Sequence, residues 1–67
     1  MEIDYKAIGQ RIKIARIKKG ITQEAVADLI DITPSYMSNV ETGKTKVRRP
    51  TLIEIANALS VSVDVLL

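Results

Sequence analysis

The stretch Thr22 to Gly43, TQEAVADLIDITPSYMSNVETG, limits what this chain can fold into more than any other part of it. Thr22 opens a helix, since its hydroxyl can accept from the free amides of the first turn, and Glu24 just inside complements the positive helix end. Val26, Ala27 and Ile30 follow at helical spacing and give that helix one buried face. A second helix opens at Thr33, with Pro34 at the first helical position, where a missing amide costs nothing. It closes at Gly43, the residue best suited to a left-handed cap. Only Asp31-Ile32 is left as the turn, so the two helices must sit against each other.

The chain has 67 residues. That is one domain, and a chain so small buries only about 60% of the surface its unfolded form exposes. A deep catalytic cleft is not expected. Cys and His are both absent, which removes disulfides, zinc-finger ligation, Cys nucleophiles and the usual general base. Ser, Lys and carboxylates remain, but none forms a spacing that suggests a site, so no enzyme, metal or cofactor is expected. The N-terminal MEIDY carries acid at Glu2 and Asp4 where a signal peptide needs base, and no apolar run approaches the ~18 residues of a membrane span. A soluble, cytoplasmic protein is the expectation. Hydrophobic residues make up 46% of the chain with two tyrosines as the only aromatics, so the core must be aliphatic, as in a compact all-α bundle.

Upstream of the helix pair, Asp4 is placed to cap a first helix running to about Lys19 and closed by Gly20. Tyr5, Ile8, Ile12 and Ala15 form one apolar stripe on it; Ile3, Ile14 and Ile17 form another, roughly opposite. Coverage by the bundle is expected for Ile17, and Ile14 is open. Downstream, the loop Lys44 to Arg49 ends at Pro50, which starts a helix through about Leu59 with Leu52, Ile55, Ala56 and Leu59 inward. Ser62 is placed to cap a last helix, Val63 to Leu67. Its apolar end packs inward, meets a second copy, or continues in a longer protein.

Four segments in this order, IGQRIKIARIKKGITQ (Ile8 to Gln23), AVADLIDIT (Ala25 to Thr33), SYMSNVETGK (Ser35 to Lys44) and IANALSVSVDVLL (Ile55 to Leu67), resemble the Cro/repressor-type helix-turn-helix family. This family, also called XRE-like or lambda repressor-like, comprises bacterial and phage transcription regulators. The resemblance covers nearly the whole chain and implies an all-α, compact five-helix DNA-binding domain over residues 1–67, acting as a transcriptional regulator of the repressor kind. It also implies an ion pair between Arg16 and Glu41 that ties the first helix to the end of the third, and a phosphate-binding role for Gln23. Dimerisation through the C-terminal helix is common in the family, which here points to Val61, Val63, Leu66 and Leu67, although these residues fit a core equally well. The chain departs from the pattern in three places. Pro50 comes late, which implies a longer loop and a fourth helix about a turn shorter. Asp31 and Ser60 stand where the family has helix-end glycines; Asp tolerates a left-handed backbone better than most residues, and Ser less so.

In such a motif the first helix of the pair crosses the DNA backbone, and the second enters the major groove with its N-terminal residues nearest the bases. Met37 and Val40, an apolar pair at one-turn spacing, must face the core. That leaves Pro34, Ser35, Tyr36, Ser38, Asn39 and Thr42 outward. Asn39 is the leading candidate for direct readout, because a carboxamide can donate to and accept from adenine N6 and N7. Ser35 can reach a base or a phosphate, and Pro34 can offer apolar contact, as to a thymine methyl. Thr22, Thr33, Ser38, Thr42, Lys44, Lys46 and Arg48 are candidates for phosphate. Tyr36 can lay its ring over the core edge while its hydroxyl reaches a phosphate.

The net charge is only +2, yet the ten basic residues fall into two blocks. Lys6, Arg11, Lys13, Arg16, Lys18 and Lys19 lie in the first helix, Lys44, Lys46, Arg48 and Arg49 follow the motif, and Gly20 to Gly43 contains neither Lys nor Arg. Flanking cations that neutralise phosphate around a neutral reading surface suit a DNA binder; a solvated face is the competing account of the first block. Without Arg in the reading helix, the commonest bidentate contact to guanine is missing. The expected partner is therefore double-stranded DNA with an A·T-rich, palindromic operator, bound by a homodimer. The competing function is a protein-interaction module, antitoxin-like or bridging, that keeps the fold and holds a partner through Ile14 and the C-terminal apolar residues.

Overall fold

The computed structural model describes residues 3–67; Met1 and Glu2, the latter part of the argument against a signal peptide, lie outside the described residues. The described chain is five helices without a strand: α1 (Tyr5–Lys19), α2 (Gln23–Leu29), α3 (Pro34–Thr42), α4 (Arg49–Ala58) and α5 (Val63–Leu66). The first three start as their sequences dictate. Asp4 Oδ1 accepts from the Ala7 amide, Thr22 Oγ1 from that of Ala25 and Thr33 Oγ1 from that of Tyr36, each at 3.0 Å. Each of these bonds satisfies an amide that has no partner within its own helix. The last two start otherwise. Helix α4 begins one residue ahead of Pro50, behind an Arg48 that makes no side-chain cap. Ser62 occupies the N-cap position of α5, but its hydroxyl does not cap, and the helix stops at Leu66.

The core gathers one stripe from every helix: Ile8 and Ile12, Val26 and Ala27, Met37 and Val40, Leu52, Ile55, Ala56 and Leu59, and Leu66. Tyr5, Ala15, Ile30 and Tyr36 pack at its edge. Leu66 is fully buried, at 0% exposure, so of the two roles open to it, dimer contact and core, it takes the core. Ile17 corrects the sequence reading in the other direction. It is 58% exposed, because α1 carries apolar residues on two faces and the four remaining helices cover only the stripe of Ile8 and Ile12. Ile14 is exposed as well. Val47, a lone apolar residue among the cations of the loop before α4, is buried and pins that loop to the core.

Two backbone features set the position of α3. At Gly9 of α1 an added Cβ would lie 2.6 Å from the Glu41 carbonyl oxygen and still nearer that of Val40. The two helices therefore touch backbone to backbone, which only glycine permits. At its other end α3 is closed by Gly43 in the left-handed region, φ 77°. The Gly43 and Lys44 amides bond back to Val40 and Asn39, while the α1 backbone at Lys6 presses on the turn. Asp31 and Ser60 do adopt the left-handed backbone of the glycines they replace, with φ 59° and 58°.

Candidate nucleic-acid interface

Helix α3 is divided by its own periodicity. Met37, Val40 and Glu41 are buried, Pro34, Ser35, Asn39 and Thr42 are exposed, and Tyr36 and Ser38 are half-buried on the flanks. Ser35 and Asn39 stand one turn apart on the exposed side, and Pro34 precedes them at the helix start. These three residues share one open ridge of neutral polar and apolar character.

Around the ridge, the hydroxyls expected to hold phosphate differ in what they can still do. The cap oxygens of Thr22 and Thr33 accept from backbone amides, which leaves their hydroxyl protons free to donate outward. Thr42 is in the opposite position. It donates back to the Ser38 carbonyl at 3.0 Å and approaches that of Asn39 at 3.3 Å. A hydroxyl has one proton, so without a ligand Thr42 directs it at its own helix. Lys44, Lys46 and Arg48 extend from the loop after α3 and are all exposed.

Behind the ridge lies a buried polar network. The Glu41 side chain, 1% exposed, accepts from Arg16 Nε at 2.6 Å and from Arg16 Nη2 at 3.2 Å. It also accepts from Gln23 Nε2 at 2.9 Å. Arg16, 12% exposed, donates in addition to the Ile21 carbonyl at 2.9 Å. The network thus joins α1, the entry to α2 and the end of α3. Gln23, expected to hold phosphate, has one of its two N–H donors engaged here and keeps the other.

The first basic block is only partly available to a ligand. Arg16 is paired, Arg11 donates to the Leu67 carbonyl at 2.6 Å and anchors the end of α5, and Lys19 donates to Ser60 Oγ at 2.9 Å. Lys6, Lys13 and Lys18 remain exposed. The second block is different in kind. Lys46, Arg48 and Arg49 rim a groove of about 420 Å³ floored by Ile3, Tyr5, Ile8, Val47, Leu52, Val63 and Leu67. A second groove, of about 470 Å³, lies between α1 and α5, lined by Ile14, Ala15, Leu59, Val61 and Val65 with Arg11, Lys18 and Lys19. Of the four residues expected at a dimer face, Val63 and Leu67 therefore line one groove, Val61 lines the other, and Leu66 lines neither.

Gln23 on Glu41, Gly9 and Val47 escaped the reading from sequence. Only Gly9 carried a signal: a glycine inside a helix costs about 1 kcal/mol relative to Ala, and its presence there marks a close approach.

With this geometry in place, residues 12–66 match the helix-turn-helix family model. The chain belongs to the helix-turn-helix family. It is similar to the SPbeta prophage-derived HTH-type transcriptional regulator YonR of Bacillus subtilis, with 39% identity over 59 residues, 88% of this chain and 55% of that protein. It is also similar to the HTH-type transcriptional regulator ImmR of the same organism, with 36% identity over 61 residues, 91% of this chain and 48% of that protein. The chain thus spans about half the length of these curated relatives. Among solved structures, the restriction-modification controller protein C.AhdI from Aeromonas hydrophila superposes with a TM-score of 0.91 at 33% identity, covering 96% of this chain and 93% of that one. The clp gene regulator ClgR from Corynebacterium glutamicum also gives 0.91, at 32% identity, covering 97% and 85%. The compact all-α helix-turn-helix fold read from the sequence is the fold of these regulators.

Proposed function

We propose that the chain is the operator-binding part of a transcriptional regulator of the repressor kind. The observation that carries this reading is the division of α3, whose inner face is locked into the core while Pro34, Ser35 and Asn39 form an open ridge between phosphate-capable flanks. The names of its relatives, transcriptional regulators over the same helices, point the same way. Asn39 reads a base, and Ser35 and Pro34 contribute beside it. Thr22, Gln23, Thr33, Tyr36, Ser38, Lys44, Lys46 and Arg48 hold phosphates. Nothing in this division of labour calls for catalysis, and a double-stranded DNA partner is consistent with a cytoplasmic protein.

Because α3 contains no Arg, the preferred half-site is A·T-rich, and a single ridge of three reading residues gives modest affinity. A homodimer supplies a second reading helix about 34–36 Å away on a palindromic site. Leu67, exposed, and Val63, half-buried, line the groove rimmed by the loop cations and are the C-terminal residues best placed to meet a second copy. Selection of bound duplexes from a random library tests the proposal. Enrichment of an A·T-rich inverted repeat is the expected result; a pool no different from that selected by an unrelated, weakly basic protein refutes it. One observation favours a second reading. Ile14 and Val65 remain exposed over the groove between α1 and α5, as a protein-interaction module would need, and an unenriched pool would bring that reading forward.

A further inference from the structure

We propose that Glu41 is a positioning residue for DNA binding, one that turns the Gln23 side chain so that it presents an N–H, and not its carbonyl oxygen, to a phosphate. The inference rests on the reading of Gln23 as a phosphate ligand given above.

The two ends of a glutamine amide have nearly the same shape, so packing alone seldom decides which faces outward. Here charge decides. Glu41 is paired with Arg16, and a carboxylate accepts only, so the nitrogen of Gln23 must face Glu41 Oε1, at 2.9 Å. One of the two protons on Nε2 lies along that bond. The other diverges from it by the trigonal geometry of the nitrogen and is left for a ligand. A phosphate, which also only accepts, meets a fixed donor at no further cost in rotamer freedom. In the opposite orientation the carbonyl oxygen of Gln23 would face the Glu41 carboxylate, and two acceptors in contact repel.

Arg16 has a part in the same device. Glu41 is an anion next to a site meant for anions, and the guanidinium held at 2.6 Å cancels its field. With its side chain 1% exposed, Glu41 cannot touch DNA, so any effect it has on binding must pass through a neighbour. Gln23 is the neighbour that reaches the surface, being half-buried at the start of α2.

The test is a double-mutant cycle in affinity for the selected duplex, read by fluorescence anisotropy under conditions where circular dichroism shows every variant folded. Gln23→Ala should weaken binding by about three- to tenfold, the effect of one hydrogen bond. Glu41→Gln should weaken the parent by a similar factor and the Gln23→Ala protein by less than about twofold. Equal losses in both backgrounds overturn the proposal, because Glu41 would then act through the fold at large. Unchanged affinity in Gln23→Ala overturns it while leaving the DNA-binding reading intact. Failure of the parent to bind any selected duplex overturns both. Should Glu41→Gln not fold, the side-chain amide protons of Gln23 in the unaltered protein decide by NMR. On addition of duplex, one should shift strongly and the other hold its position; two protons moving together overturn the proposal.

Discussion

Replacing Glu41 with Ala removes the acceptor of three donors at once: Arg16 Nε, Arg16 Nη2 and Gln23 Nε2. Gln23 can turn to water, since it is half-buried. Arg16, at 12% exposure, has little such freedom, and its remaining bond to the Ile21 carbonyl does not neutralise its charge. Breaking a buried pair by deleting one partner costs about 3–5 kcal/mol. Partial access of the guanidinium to solvent puts the expected loss near the lower end, about 3 kcal/mol. A domain of this size has a total stability of roughly 3–10 kcal/mol, and a loss of 3 kcal/mol lowers its midpoint by about 12 °C or more. Thermal and urea unfolding followed by circular dichroism measure this directly. A midpoint within a degree or two of the parent would refute the reasoning, because the pair would then contribute no more than an exposed one. The double variant Arg16→Met, Glu41→Leu supplies the control. With no charge left buried it should recover much of what either single change loses.

Asn39→Ala should leave the melting temperature nearly unchanged and remove about 1–3 kcal/mol of discrimination at one base pair of each half-site; equal weakening on every duplex would make Asn39 a phosphate ligand instead. Val40→Ala, at a position 1% exposed, should do the reverse, destabilising the fold by about 2–3 kcal/mol through lost burial and a cavity without changing which sequence the folded fraction prefers. Gly9→Ala should cost about 1–3 kcal/mol as its methyl forces α1 away from the carbonyls of Val40 and Glu41, seen as a lowered urea midpoint; an unchanged midpoint would mean that the helices part freely. Affinity should fall roughly a thousandfold or more between 50 and 200 mM salt for ~6–10 phosphates contacted by a dimer. Lys44→Ala and Lys46→Ala should each reduce the slope by about 1 per half-site and weaken binding equally on all sequences, while Arg11→Ala, whose guanidinium holds the end of α5, should leave the slope unchanged.

What could be read from the sequence was local. The caps at Asp4, Thr22 and Thr33 are bonds between residues three apart, so the pattern that predicts them lies within a single turn. The left-handed joints at Asp31 and Ser60 were implied by the family resemblance, since the family has glycines there, and the inward Met37 and Val40 follow from helical periodicity. Long-range facts were hidden, apart from the pair of Arg16 and Glu41, 25 residues apart, which the family resemblance implied. Ile17 belongs to an apolar stripe as regular as that of Ile8 and Ile12, and only the number of helices available to cover α1 separates a buried stripe from an exposed one. A helix as short as α5 has no period to read, so nothing in it distinguished Leu66, which is core, from the exposed Val65 and Leu67. The hydrogen bond from Gln23 to Glu41 joins residues 18 apart, and no local rule connects them. The outward set of α3 was legible as a set. The hydrogen bond of Thr42 back to its own helix was not, because it depends on where one hydroxyl proton points.

The backbone contact between α1 and the end of α3 has a consequence for how this chain can change. Gly9 meets the carbonyls of Val40 and Glu41, and Lys6 meets Gly43, largely through main-chain atoms. The pose of α3 is therefore held by main-chain contacts that the two glycines permit, reinforced from below by Met37 and Val40. Pro34, Ser35 and Asn39 take no part in that support. If they read DNA as proposed, their identities can be exchanged as a type slug is exchanged in a fixed press, and a new triplet would address a new operator from the same platform.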